Sequence, residues 1–342
     1  MKKNVLLLAL LLLALIISGC ASMAVSAEEY YSLGMAYFDL GKYEEAEKWL
    51  TRAKQADRTM VASQYNLGRL AFERQRYQEA AKHFEDVLKR DPDNILALRA
   101  AAYSRIKTGE IDIADKHYHR LLRLVPESAD DGYNHALVLY AMRRYSDAET
   151  VLEKYPVALE GNKDMQLLFA RCQGAQKKVE AIDTYANWLE HNKEPKARFD
   201  YAQLLEYHEF YARALEEYRL TMIEVVEASG ATSGASSGDA IQANEIHLAI
   251  ARVLLIADGE NSEGLTELQT AVNESVDIAK VEELLNEDKI SNANKESIRK
   301  IIESFHAAAV QPEHEESSMD DSGSVPDFYD APLEAYSEAG SD

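Results

Sequence analysis

The chain has 342 residues and a formal net charge of −22, with 59 acidic residues against 37 lysines and arginines, and only two cysteines. A surface this acidic repels phosphate backbones, which argues against nucleic acid as a partner, and two cysteines cannot build a disulfide framework. Setting aside residues 311–342 (ten acids, no Lys or Arg) and the two leading lysines leaves −14 for residues 20–310, too negative to dock on anionic lipid by charge.

The first predicted element is a leader. Lys2 and Lys3 precede an apolar run of 13 residues from Val5 to Ile17, shorter than the roughly 20 that a spanning helix needs. A basic start, a short apolar core and small residues at its end predict a secretory signal over residues 1–19. It closes on Ile17-Ser18-Gly19-Cys20, which resembles the lipobox of bacterial lipoproteins. The resemblance implies cleavage before Cys20, a diacylglycerol on its sulfur and an acyl chain such as palmitate on its new amine, with residues 20–26 as a short linker. A thiolate is the nucleophile such a transfer needs, and two or three chains hold a membrane durably where one does not. Position 21 is Ala, not the Asp that keeps lipoproteins in the inner membrane of enteric bacteria. By that analogy the outer membrane is the expected location, on either its periplasmic or its surface face.

Next comes a repeat. The segments "YEEAEKWL", "YQEAAKHF", "IDIADKHY", "YSDAETVL", "VEAIDTYA" and "YARALEEY" place alanines at 46, 80, 114, 148, 181 and 214, in steps of 34, 34, 34, 33 and 33. Twelve residues earlier stand Gly34, Gly68, Ala102, Ala136 and Ala202, with Ala170 one residue short; four later stand Leu50, Phe84, Tyr118, Leu152, Tyr185 and Tyr218. Small residues let two helix axes approach, and large ones a turn away fill the space beside them. Gly41 and Gly109 fit a left-handed turn between the two helices, and Pro92 and Pro126 fall at repeat boundaries. This pattern resembles the tetratricopeptide repeat. The resemblance implies an all-α, right-handed solenoid of antiparallel helix pairs, with six repeats at 27–60, 61–94, 95–128, 129–162, 163–194 and 195–228. The fifth departs most, with a shortened loop and Lys178 where Tyr is usual.

Residues 229–239 are small and Gly/Ser-rich, predicting a loop. Residues 240–275 resume helical spacing as a degenerate seventh repeat, with Gly259 at the turn and Gly264 in place of the crossing alanine. Residues 276–310 are expected to close the array as capping helices. Residues 311–342, acidic and poor in aliphatics, are expected to be disordered, and "DFYDAPLEAY" (327–336) within them reads as a possible docking motif or plug.

No phosphate loop, HExxH or CxxC points to catalysis or a bound metal, so no enzyme and no cofactor beyond the lipid on Cys20 is expected. His117 and His119 are two apart, not the four that puts ligands on one helix face. Cys172 reads as a small packing residue. The tetratricopeptide resemblance implies a concave groove lined by the first helix of each repeat. Carried over with Gly34 and its equivalents as the eighth position, the lining includes Tyr31, Met35 and Phe38, then Tyr65, Arg69 and Phe72, then Arg99, Tyr103 and Ile106, then Tyr133, Leu137 and Tyr140. Aromatics and arginine dominate binding hot spots, and arginine can hold a carboxylate by two bonds. Asn66 and Asn134 sit where the chaperone-binding version keeps part of a carboxylate clamp, but Tyr31 and Met35 stand in place of its Lys and Asn. The expected function is a membrane-anchored interaction adaptor in envelope assembly that binds a protein or peptide in this groove. The alternative is a ligand-binding partner of a transport system that holds a small hydrophobic molecule.

Overall fold

The structure, a computed structural model, describes residues 25–231, 241–257 and 261–309. The leader, Cys20, most of the Gly/Ser-rich stretch, Gly259 and the acidic end lie outside them. The described residues form seventeen α-helices and one short 3₁₀ turn, with no strand among them. They fall into two compact units that divide after Pro126.

In the first unit α1 (Ala27–Asp39) pairs with α2 (Tyr43–Ala56), α3 (Val61–Glu73) with α4 (Tyr77–Arg90), and α5 (Ile95–Lys107) with α6 (Ile111–Leu124). Local chemistry fixes the starts. Ser26 Oγ accepts from the Glu29 amide at 3.1 Å while Glu29 Oε2 accepts from the Ser26 amide at 2.7 Å, a reciprocal cap on α1. Asn94 Oδ1 caps α5 by accepting from the Ala97 amide. The pairs close on small residues: Ala46, Ala80 and Ala114 are fully buried. A Cβ on Gly34 would lie 2.8 Å from Leu50 Cγ, and one on Gly68 2.6 Å from Phe84 Cε1. Only glycine lets those axes come so near.

The second unit holds α7 (Ala129–Ala141), α8 (Tyr145–Leu152), α9 (Pro156–Gly161), α10 (Lys163–Ala175), α11 (Glu180–His191), α12 (Pro195–Tyr207) and α13 (Tyr211–Ala231). Then come α14 (Ala243–Ala257), α15 (Ser262–Asn273), α16 (Ile278–Glu283), the 3₁₀ turn at Leu284–Asn286, and α17 (Asn292–Ala309). Ala148, Ala181 and Ala214 are fully buried at the crossings. Two departures from the plain repeat have local causes. The second helix of the fourth repeat breaks in two because Pro156 has no N–H and pushes Tyr155 out of the helical region, to φ −120° and ψ 59°. In the fifth, the turn that Lys178 occupies is pinned by its ammonium on Glu149 at 2.6 Å. At its far end α13 runs to Ala231, three residues into the stretch read as a loop.

The turn between paired helices recurs with one backbone geometry. Gly41, Gln75, Gly109, Arg143, Lys177 and Glu209 all take positive φ, between 57° and 75°. Glycine marks that position twice; elsewhere an L-residue carries the strain.

Candidate functional site

In the first unit the first helices α1, α3 and α5 are joined by the very side chains the repeat phase selects. Asn66 Nδ2 donates to the Tyr31 hydroxyl at 3.0 Å and to the Ala62 carbonyl, tying α3 to α1. Arg69 Nη1 donates to Asn66 Oδ1 at 3.1 Å, and its guanidinium carbon lies 4.9 Å from the Phe38 ring centroid. The Phe72 and Tyr103 rings meet at 5.3 Å, tying α3 to α5, and the Lys107 ammonium sits 5.1 Å from the Tyr103 ring. Burial raises the Tyr31 phenol above its ordinary pKa, while the charge of Arg69 and the bond from Asn66 pull it down.

Arg69 is the unusual member. It is 6% exposed, its Nε is buried without an acceptor, and no carboxylate pairs with it among the described residues. Several other arginines of the unit are answered by carboxylates. Arg74 and Arg76 hold Glu47, Arg105 holds Glu85 and Glu110, and Arg120 holds Asp93. Glu73, a turn away on the same helix, is exposed and forms no ion pair with Arg69. The Tyr103 hydroxyl is likewise buried without a partner.

Not every predicted lining residue faces outward. Phe38 is 7% exposed and belongs to the core with Ala46, Leu50, Leu67 and Leu70; it is the floor under Arg69 rather than a wall. Ile106 is fully buried. Tyr65 packs 5.3 Å from Phe84 and, with Phe72, lies half-buried against a second core cluster. Tyr31, Met35, Arg99 and Tyr103 are half-buried, and Arg99 and Tyr65 each have further partners.

In the second unit Tyr133 and Tyr140 are half-buried on α7, and Leu137 is buried. Tyr140 meets Tyr145 at 5.2 Å, and burial, then the charge of Asp200, pushes its phenol up to about 12. The arginine there went unpredicted. Arg171 on α10 follows the small residue Ala170 as Arg69 follows Gly68, so extending the repeat phase by one more pair would have found it. Unlike Arg69 it is answered, by Glu194 at 2.7 Å and Asp200 at 3.8 Å. Cys172 is fully buried, and burial, then the charge of Glu149, pushes its thiol up to about 12, which leaves it inert. Among the described residues no group of His, Cys, Asp and Glu could hold a metal.

Two tetratricopeptide-repeat family models match, one over residues 9–61 and 31–95 and one over 71–133. With the helix pairs that continue the same step beyond them, the chain is a tetratricopeptide-repeat protein. Solved structures of loosely similar shape include a tetratricopeptide repeat protein from Parabacteroides merdae, 17% identical, with 82% of this chain and 98% of that one covered at a TM-score of 0.49. The MamA protein is 18% identical over 49% of this chain and 92% of its own, at 0.46. YrrB, described as a TPR protein with an unusual peptide-binding site, is 14% identical over 52% and 93%, at 0.46. Likenesses this loose are no guide to what this chain binds. A search of curated proteins returns no match.

Proposed function

We propose that this chain is an adaptor, tethered to the outer membrane through lipid on Cys20, that holds an extended polypeptide segment across the first helices of its repeats. The observation that carries the reading is Arg69: a buried guanidinium with no carboxylate among the described residues, set among half-buried rings. Burying an unanswered charge costs several kcal/mol on the order-of-magnitude scale, so a fold keeps it where an external anion completes it. Rings beside it add apolar area at little entropic cost. The tether rests on the lipobox-like Ile17-Ser18-Gly19-Cys20.

Crosslinking in intact envelopes, followed by purification of this chain, tests the reading. A discrete protein partner is expected, captured poorly by the Arg69→Ala/Arg99→Ala variant although its helicity is kept. Capture unaffected by that change would reject the surface as the binding face. For the anchor, Cys20→Ala is expected to abolish incorporation of a clickable fatty acid, and membrane fractionation is expected to place the wild type with outer-membrane markers.

A further inference from the structure

We propose that residues 327–336 of this chain, "DFYDAPLEAY", dock on the Arg69 surface of the first unit and occupy the place where a partner sits. The inference rests on reading that surface as a partner-binding face and names its resting occupant.

The surface lacks two things. Arg69 lacks a carboxylate: its Nη1 is spent on Asn66, and its Nε has no acceptor. The Tyr103 hydroxyl, buried on the next first helix, also lacks a partner. Among the described residues neither is completed from within the unit. Of the acids nearby, Glu47 is committed to Arg74 and Arg76, and Glu85 and Glu110 to Arg105, while Glu73 and Asp39 are exposed and do not pair with Arg69. The comparable arginine of the second unit, Arg171, has its own acids in Glu194 and Asp200 and needs nothing. Between these two arginines, only Arg69 is without a carboxylate among the described residues.

The acidic end offers the complementary set. Residues 311–342 contain ten acids and no Lys or Arg, so their carboxylates have no cation nearby in sequence. Within them Asp327, Asp330 and Glu334 alternate with Phe328, Tyr329, Leu333 and Tyr336. A carboxylate supplies Arg69 with a charge-assisted bond, or Tyr103 with an acceptor. An aromatic ring beside it supplies a face for the half-buried rings or for Lys107. Elsewhere in the acidic end, residues 313–324 carry acids without any aromatic ring. Only 327–336 combines both chemistries.

Covalent tethering favours the intramolecular occupant. Seventeen residues separate Ala309, the end of α17, from Asp327, a linker that keeps the segment on the same chain. A tethered segment is presented at an effective concentration on the order of millimolar, so a contact too weak to hold a free peptide still fills the surface. An external partner must then displace the segment, which makes the acidic end a threshold on capture rather than a passive terminus.

The test uses the full-length protein with a benzophenone amino acid in place of Tyr329 and, in a second preparation, of Tyr336. After irradiation the crosslinked peptides are mapped. Crosslinks are expected within one molecule, in residues 61–107, with a yield that does not change on dilution. The yield is expected to fall on the order of tenfold with Arg69→Gln, and equally with Asp327→Asn/Asp330→Asn/Glu334→Gln, a variant that leaves every described residue unaltered. The latter is also expected to capture more partner from envelopes. Crosslinks confined to residues 211–309, spread without preference, lost on dilution, or indifferent to both variants would overturn the proposal. Partner capture lost in Arg69→Gln while crosslinks avoid α3 and α5 rejects the tail alone. Crosslinks at α3 and α5 with capture unchanged reject the partner face and leave the tail docking standing.

Discussion

The side-chain oxygen of Asn66 accepts from Arg69 Nη1 at 3.1 Å, and it is the only hydrogen bond the Arg69 side chain makes among the described residues. A bracing arginine is held by carboxylates on other helices, as Arg252 is held by both oxygens of Glu206, at 2.6 and 2.8 Å. The two should therefore respond oppositely to an apolar replacement of similar length. Arg69→Met leaves no charge unpaired and is expected to hold or raise stability, within about 1 kcal/mol. Arg252→Met strands a buried Glu206 and is expected to cost about 3–5 kcal/mol. Chemical denaturation of the two variants checks both. An Arg69→Met protein that loses as much as Arg252→Met would make Arg69 a brace.

The crossings are intolerant of size. Ala80 and Ala114 are fully buried, with Phe84 and Tyr118 four residues on filling the space beside them. Ala80→Leu and Ala114→Leu are expected to destabilise by about 1–3 kcal/mol through overpacking. Melting followed by circular dichroism measures this, and the loss can stay local because each repeat leans mainly on its neighbours. Unchanged melting of both would mean that the small residues do not mark the crossings.

The turn position offers a gain. Gln75 and Arg143 take φ of 57° and 58°, where a Cβ is disfavoured, and Gly41 and Gly109 take the same turn without that cost. Gln75→Gly and Arg143→Gly are expected to add about 0.5–1 kcal/mol of stability, reduced somewhat by the extra freedom glycine gives the unfolded chain. Gly41→Ala and Gly109→Ala are expected to lose about the same. Open space around both glycines means that backbone strain alone sets the loss.

These positions also show what was legible in the sequence. The alanine steps and the two glycines carry a 34-residue period that tertiary packing enforces, so the helix pairs could be read directly. The break at Pro156 was not read from the sequence, although proline removes a donor whatever surrounds it. Which rings face outward was not legible. Phe38 and Tyr31 lie on the same face of α1, yet one is core floor and the other half-exposed, because Arg69 and Leu70 of the next pair cover Phe38. That Arg69 is unanswered while Arg171 is answered depends on Glu194 and Asp200, 23 and 29 residues beyond Arg171. Such pairings exist only once the helices are stacked.

Acid should weaken the first unit through its histidines. His83 and His117 are both held below the ordinary histidine value of 6.5. For His83 burial comes first and the charge of Lys54 second; for His117 burial comes first, and Glu85 opposes it incompletely. His83 Nδ1 lies 2.8 Å from Gln64 Nε2, a bond that needs the ring nitrogen as acceptor and so favours the neutral ring. The sign follows from which state binds the proton. Below the ordinary value the unfolded chain is protonated while the folded rings still resist, so stability falls as pH drops through about 6.5. The fall levels off once the folded rings also protonate. Melting temperatures measured from about pH 7.5 to about pH 5.5, a range in which histidine is the ordinary titrating side chain, are expected to decline for the wild type and to decline less for His83→Gln/His117→Gln. A slope that survives both substitutions would place the acid sensitivity outside these two histidines.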